Sequence, residues 1–212
     1  MSYYRFIDNG QGPTKLFVGG IHGHEGGTTV DFFKSLSKKD FSNGKIFIYN
    51  FDNSKYISTL KKEYYQTKIG KYIINLIKKH KPDFYTELHC YNIKNYKKLI
   101  SQNRRENQGV PPLIELENHV LISSVSPLIR TKYFKRETIC KTLEIPCFSK
   151  NNINKYFIKD LSLNTYLNIL KLIANSYNRK DFENKMINSY PKQVELAIKY
   201  SNEIFGKDHP PF

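Results

Sequence analysis

His22 and Glu25 stand three residues apart in the stretch LFVGGIHGHEGGTT, residues 16–29. They follow a short apolar run, Leu16, Phe17 and Val18, that reads as a buried strand stopped by Gly19-Gly20. An imidazole and a carboxylate at that spacing, on a turn beyond a strand's carboxyl end, can converge on one point, as tetrahedral zinc requires. Taken alone the pair is a weak signal, because His-x-x-Glu arises by chance and such side chains are usually solvated. Three features strengthen it: the preceding strand, the flanking Gly23, Gly26 and Gly27, and a second strand-terminal histidine, His89, after FYTEL. The glycines are read as leaving room for metal and substrate. Period two puts Glu87 on the strand face of His89, as an acceptor orienting the imidazole or as a salt-bridged carboxylate. His22 has a rival reading as a loop histidine held by backbone groups, and His24 is read as an ordinary loop histidine, with lining the pocket or substituting as a ligand as its alternatives.

The elements that must position these residues alternate. Tyr3 to Ile7 reads as an edge strand, and a second strand ends at Gly19. Val30, Phe32, Phe33 and Leu36 then mark an amphipathic helix. Lys45 to Phe51 is the next strand, Thr59 to His80 a long helix stopped by Pro82, and Asp83 to Leu88 a further strand. This order predicts a mainly parallel sheet covered on both faces, with ligands beyond the carboxyl ends of its strands. His22, Glu25 and His89 all fall at such ends. Further strands are expected at Lys97 to Ser101, Leu113 to Leu116, Val120 to Val125 and Ile139 to Ile145. Helical periodicity takes over at Leu163 to Tyr177 and Phe182 to Phe205, so 160–205 are expected to cover the sheet within a single domain spanning 1–212.

At 212 residues and 39% apolar, the chain is long enough for one sizeable core. It has no run of 18 apolar residues and no signal-peptide core, so a cytoplasmic location without membrane attachment is expected; oligomeric state is not legible. A net charge of +15 raises the question of a polyanionic partner. The lysines are scattered over polar helix faces and loops, however, without a nucleic-acid motif, and a solvated surface is the favoured reading. Cys90, Cys140 and Cys147 form no C-x-x-C pair and are odd in number, so reduced, part-buried thiols are expected.

Three segments, GGIHGHEGG, FYTELHCY and CKTLEIP, resemble the signature segments of the zinc carboxypeptidase superfamily. The likeness is greatest to its succinylglutamate desuccinylase and aspartoacylase branch, and within the superfamily to a small archaeal group. It covers about Leu16 to Pro146. It implies a three-layer α/β/α fold around a mainly parallel, mixed sheet, with His22, Glu25 and His89 as ligands of one Zn²⁺. Three protein ligands leave a position for water, as in catalytic zinc sites. By the same resemblance Glu144 is the general base that takes a proton from the activated water and passes it to the leaving amine. Glu115 and Glu117, in LIELEN, are its rivals; Glu144 is preferred because apolar neighbours flank it in TLEIP, although a buried cationic partner would also explain it.

The chain departs from the family at the substrate carboxylate. Members carry an Asn-Arg pair after the first motif, whereas NFDNSKYIS supplies Asn53 without an arginine. Lys55 offers charge but no bidentate fork. Arg104, Arg105 and Arg130 are the candidate replacements, with Arg130 the first choice and an ordinary surface arginine its rival. The expectation is therefore a zinc-dependent hydrolase that cleaves an amide bond of an N-acyl amino acid or a peptide carboxyl end. A zinc esterase or other deacylase, and a catalytically inactive basic module on the same fold, are the alternatives.

Overall fold

The computed structural model describes residues 1–147 and 156–207, apart from the side chains of 156–159. Among these, seven strands form one mixed sheet: β1 (Tyr3–Asp8), β2 (Thr14–Gly19), β3 (Lys45–Asn50), β4 (Phe84–Tyr91), β5 (Ile114–Glu115), β6 (Leu121–Ser124) and β7 (Ile139–Pro146). Their order across the sheet is β1-β3-β2-β4-β7-β6-β5. The four central strands β3-β2-β4-β7 are parallel, while β1, β6 and β5 add antiparallel edges. All eight residues of β4 are buried, as a central strand covered on both faces requires.

The helices are α1 (Gly26–Ser35), α2 (Lys68–His80), α3 (Tyr96–Leu99), α4 (Arg104–Gln108), α5 (Pro127–Tyr133), α6 (Tyr156–Ala174), α7 (Arg179–Ser189) and α8 (Pro191–Phe205). Strand alternation divides the apolar residues between two clusters. Phe84, Leu88 and Cys90 of β4 pack with Phe33 of α1 and with Tyr166, Ile169, Phe182 and Val194 of the last three helices. Tyr85 of the same strand packs instead with Ile73, Leu76 and Ile77 of α2 and Ile129 of α5. His89 has the parity of Tyr85, so it is presented on the α2 side. No described helix is long and apolar enough to cross a membrane.

Four expectations are corrected. The helix read from Thr59 begins only at Lys68, because the Thr67 side chain accepts the Gly70 N–H at 3.0 Å and caps it; Lys62–Gln66 form a separate 3₁₀ turn. Lys97 to Ser101 is not a strand. Asn92 accepts the Lys94 N–H and winds the chain into a turn and α3, whose Tyr96 and Leu99 cover Tyr91 and Leu121. The helix read over Phe182 to Phe205 is two, since Pro191 cannot continue α7 and instead opens α8. Finally, Cys90 and Cys147 are joined by a disulfide, with Cα atoms 5.1 Å apart, while Cys140 is buried and free. The pairing follows from the sheet: Cys90 lies beside Ile145, and the Cys147 N–H continues the ladder to the Tyr91 carbonyl at 2.8 Å.

Candidate metal centre

The turn after β2 is shaped by two close backbone approaches. Gly20 has φ +64°, and a Cβ on it would lie 2.1 Å from the Phe51 carbonyl oxygen; one on Gly26 would lie 1.9 Å from the same oxygen. Gly26 therefore makes room for the end of β3 rather than for metal or substrate. Asn50, the last residue of β3, fastens this arrangement: its side chain donates to the Gly26 carbonyl at 3.0 Å and accepts from the Thr29 hydroxyl at 2.6 Å. Glu25 occupies the residue before α1, but its side chain does not cap the helix. It turns instead toward the end of β4.

His22, Glu25 and His89 are buried, and each offers a ligand atom within 4.8 Å of the others. Glu25 Oε1 is 3.3 Å from His22 Nδ1, and Glu25 Oε2 is 3.1 Å from His89 Nδ1. Zinc bonds of about 2.0–2.2 Å in a tetrahedron set ligand atoms about 3.3–3.6 Å apart; each imidazole lies near that distance from one of the two Glu25 oxygens, while the set as a whole is within 4.8 Å. His22 Nδ1 is buried without a hydrogen-bond partner, so its approach to Glu25 lacks hydrogen-bond geometry. An orphaned imidazole nitrogen facing a carboxylate and a second imidazole is what a cation site supplies. On donor type, spacing and orphaned atom, the three residues fit a divalent metal.

A shell of second contacts fixes His89. Its Nε2 lies 3.4 Å from Glu87 Oε2, and Glu87 in turn accepts from the Tyr85 hydroxyl at 2.9 Å and the Thr142 hydroxyl at 3.4 Å. Glu87 thus takes the orienting position expected from its strand parity, leaving Nδ1 to face Glu25. The electrostatics of the metal-free cluster follow from burial. Burial, aided by His89, depresses His22 to about 3, so its imidazole is neutral across the physiological range. Burial raises Glu25, against the pull of His89. Burial opposes charge on His89 too, but Glu25 and Glu87 outweigh it and hold its pKa well above the ordinary value.

Glu144 is paired in register with His89, on the adjacent parallel strand and with the same facing parity. Burial lifts it to about 7, with His89 opposing and Glu25 assisting. Its rivals sit differently. Glu115 accepts from the Tyr96 hydroxyl and, at 2.9 Å, from the His119 N–H. Glu117 is exposed on the turn between β5 and β6. Of the three, Glu144 alone lies beside a metal-ligand candidate.

Arg130 is not brought to this cluster. Its guanidinium donates to the carbonyls of Lys135, Arg136 and Thr138 at 2.9–3.1 Å. Thr138 precedes β7, six residues from Glu144 along an extended strand, so the two ends are roughly 20 Å apart. There it lines an apolar cavity between α8 and the end of β6, with Ile122, Lys141 and Ile204. Arg104 lines the same cavity, and its Nη1 donates to the Pro111 carbonyl, but it differs from Arg130 in that its charge acts on Glu144; burial lowers its pKa to about 10, and its Nε is buried without a partner. Asn53 lies beside the site, its Oδ1 2.9 Å from His24 Nδ1. Two residues escaped notice in the sequence. Asn50 had a signal, a polar residue closing the apolar run KIFIY; Tyr56, which packs edge-on against His22 at 5.1 Å, had none.

A family model described as an uncharacterised protein conserved in archaea matches residues 10–206. A relative described only as an uncharacterised protein of Methanocaldococcus jannaschii is 43% identical over 203 residues, covering 93% of this chain and 94% of its own. No solved structure matches the chain.

Proposed function

Since the chain belongs to that archaeal family, and membership names no chemistry, we propose from the site itself that the protein is a zinc-dependent hydrolase of amide bonds. The observation that carries the reading is the convergence of His22, Glu25 and His89, with Glu144 in register beside His89. The motif resemblance to the zinc carboxypeptidase superfamily supports it, and so does the mixed α/β sheet with all four residues at strand carboxyl ends. Zinc, when bound, supplies an acidified water and a Lewis acid for a carbonyl oxygen.

The chain's own residues do the rest. His22, already neutral, and His89, which must give up its proton to serve as a ligand and is oriented by Glu87, would hold the metal together with Glu25. Glu144 takes the proton of the attacking water and returns it to the leaving nitrogen, the two-way transfer of a general base that becomes a general acid. Arg104 is assigned to a carboxylate of the substrate, in place of Arg130, which makes the substrate an N-acyl amino acid or a peptide carboxyl end. Ester substrates would use the same residues. The test is zinc content after dialysis, followed by hydrolysis of a panel of N-acyl amino acids and their esters. About one zinc per chain, lost on His22→Ala, Glu25→Ala or His89→Ala, is expected; a wild-type chain that carries no metal and gains none on adding zinc rejects the reading.

A further inference from the structure

Tyr56 is 72% exposed, yet its ring stands edge-on against the imidazole of buried His22, with centroids 5.1 Å apart and planes at 85°. The loop that carries it is fastened to the turn bearing His22 at several points. Phe51 N–H donates to the Gly19 carbonyl at 3.0 Å, Ser54 N–H to the Gly23 carbonyl at 3.1 Å, and the Ser54 hydroxyl to the Ile21 carbonyl at 3.2 Å. The Tyr64 hydroxyl bonds the same Ile21 carbonyl at 3.0 Å. A Cβ on Gly23 would reach the Tyr56 ring at 3.4 Å, so the absence of a side chain at Gly23 lets the ring lie close to the turn. Burial raises the phenol's pKa and Glu144 and Glu25 both add to the rise, so the ring packed on His22 is also within electrostatic reach of both carboxylates. Most of the ring remains in water, so the packing of the core gives no reason for a tyrosine here.

We infer that Tyr56 is a substrate-contacting residue, whose phenol hydroxyl donates a hydrogen bond to the carbonyl oxygen of the scissile amide as that oxygen gains negative charge. The inference rests on the amide-hydrolase reading and deepens it. In the step concerned, the water oxygen bonds to the carbonyl carbon, the C=O π pair moves to the carbonyl oxygen, and Glu144 takes the water's proton. Tyr56 keeps its own proton and only shares it. A neutral donor suits this position, because a lysine or arginine there would pair with Glu25 or Glu144 instead. A hydrogen bond to a charged partner contributes about 1.5–3 kcal/mol, which is roughly 10- to 100-fold in affinity.

The test uses methylphosphonate as a tetrahedral anionic mimic and acetate as a planar one, titrated calorimetrically into zinc-loaded wild type, Tyr56→Phe and Tyr56→Ala, with zinc affinity measured in parallel. Both variants should fold and keep zinc within about two-fold, since the ring is mostly exposed. Tyr56→Phe should lose about 10- to 100-fold in methylphosphonate affinity and little in acetate affinity. A phenylalanine variant that binds methylphosphonate like wild type, whether or not the alanine variant is impaired, would overturn the hydroxyl's role and leave the zinc reading standing. So would a zinc-loaded wild type that does not prefer methylphosphonate. A wild-type chain that takes up no zinc would sink both.

Discussion

At the scale of single residues, the question is which groups move protons and which only hold the fold. Glu144 is proposed as the proton carrier because of its register: it faces the same side as His89, whereas Glu115 is spent on Tyr96 and His119. Glu144→Gln should therefore keep zinc and lose about 10²- to 10⁴-fold in turnover, the usual range for general acid and base catalysis, while Glu115→Gln and Glu117→Gln should be milder. Turnover and zinc content of the three variants decide it; an inactive, zinc-loaded variant at 115 beside an active one at 144 would transfer the role. The metal-free protein offers a second measurement. The folded Glu144 keeps its proton up to about pH 7, while the unfolded chain releases it near 4.5. The folded state binds more protons in that window, so this group's stabilisation is full below about 4.5 and is lost as pH rises through 7. Urea unfolding of the zinc-free chain should show that decline in wild type and less of it in Glu144→Gln. The arginines divide in the same way. Arg104→Gln should raise KM for acidic substrates with zinc retained. Arg130→Ala removes three hydrogen bonds from a buried charged donor, to carbonyls that keep the Thr138 N–H or Arg179 as a second donor, and should cost about 1–3 kcal/mol of stability without a selective effect on KM, as denaturation and kinetics on the two variants would show.

At the scale of elements, the site depends on how tightly the end of β3 is pressed against the start of α1. A methyl on Gly26 would meet the Phe51 carbonyl oxygen at 1.9 Å and the Asp52 oxygen at 2.6 Å, whereas one on Gly27 meets nothing within 4 Å. Gly26→Ala should accordingly displace α1 and Glu25 with it, costing about 1–3 kcal/mol and weakening zinc. Gly27→Ala should be neutral or stabilising by about 0.4–1 kcal/mol. Denaturation curves and zinc affinities of the pair check this; equal effects at both positions would mean that the close approach is unimportant. The same elements show what sequence can reveal. The central strands were legible because LFV, KIFIYNF and FYTEL are apolar runs bounded by Gly, Asn and Pro, and their alternation with helices put His22, Glu25 and His89 at one end of the sheet. What was not legible was long-range or competitive. Thr67 capping α2, Asn92 turning the chain away from a strand, and Cys90 meeting Cys147 across β4 and β7 depend on neighbours that no local pattern announces. Arg130 was preferred among three arginines to fill a motif gap, and only the topology shows that it sits at the opposite end of β7 from Glu144.

At the scale of the whole molecule, a net charge of +15 and a buried cluster of two histidines and a glutamate make different claims on function. The charge is a surface property: attraction to a polyanion would be nonspecific and would fall steeply as salt is raised. Tight nucleic-acid binding that survives physiological salt without metal would instead favour the inactive basic module. The cluster makes a claim on stability. In the metal-free chain His22 Nδ1 is buried without a partner and the buried Glu25 carboxylate is only partly offset by His89, and a cation that binds only the folded state converts that deficit into stabilisation. At free zinc 100-fold above its Kd the gain is about 2.7 kcal/mol. For a chain of this length, each kcal/mol moves Tm by about 2–4 °C, so zinc should raise the melting temperature by roughly 5–10 °C. His22→Ala, Glu25→Ala and His89→Ala should each abolish the rise, whereas Glu144→Gln and Tyr56→Phe should preserve it, because neither supplies a ligand. Scanning calorimetry with and without zinc separates the two groups of variants. A shift that persists in the ligand variants would place the metal somewhere other than the ends of β2 and β4.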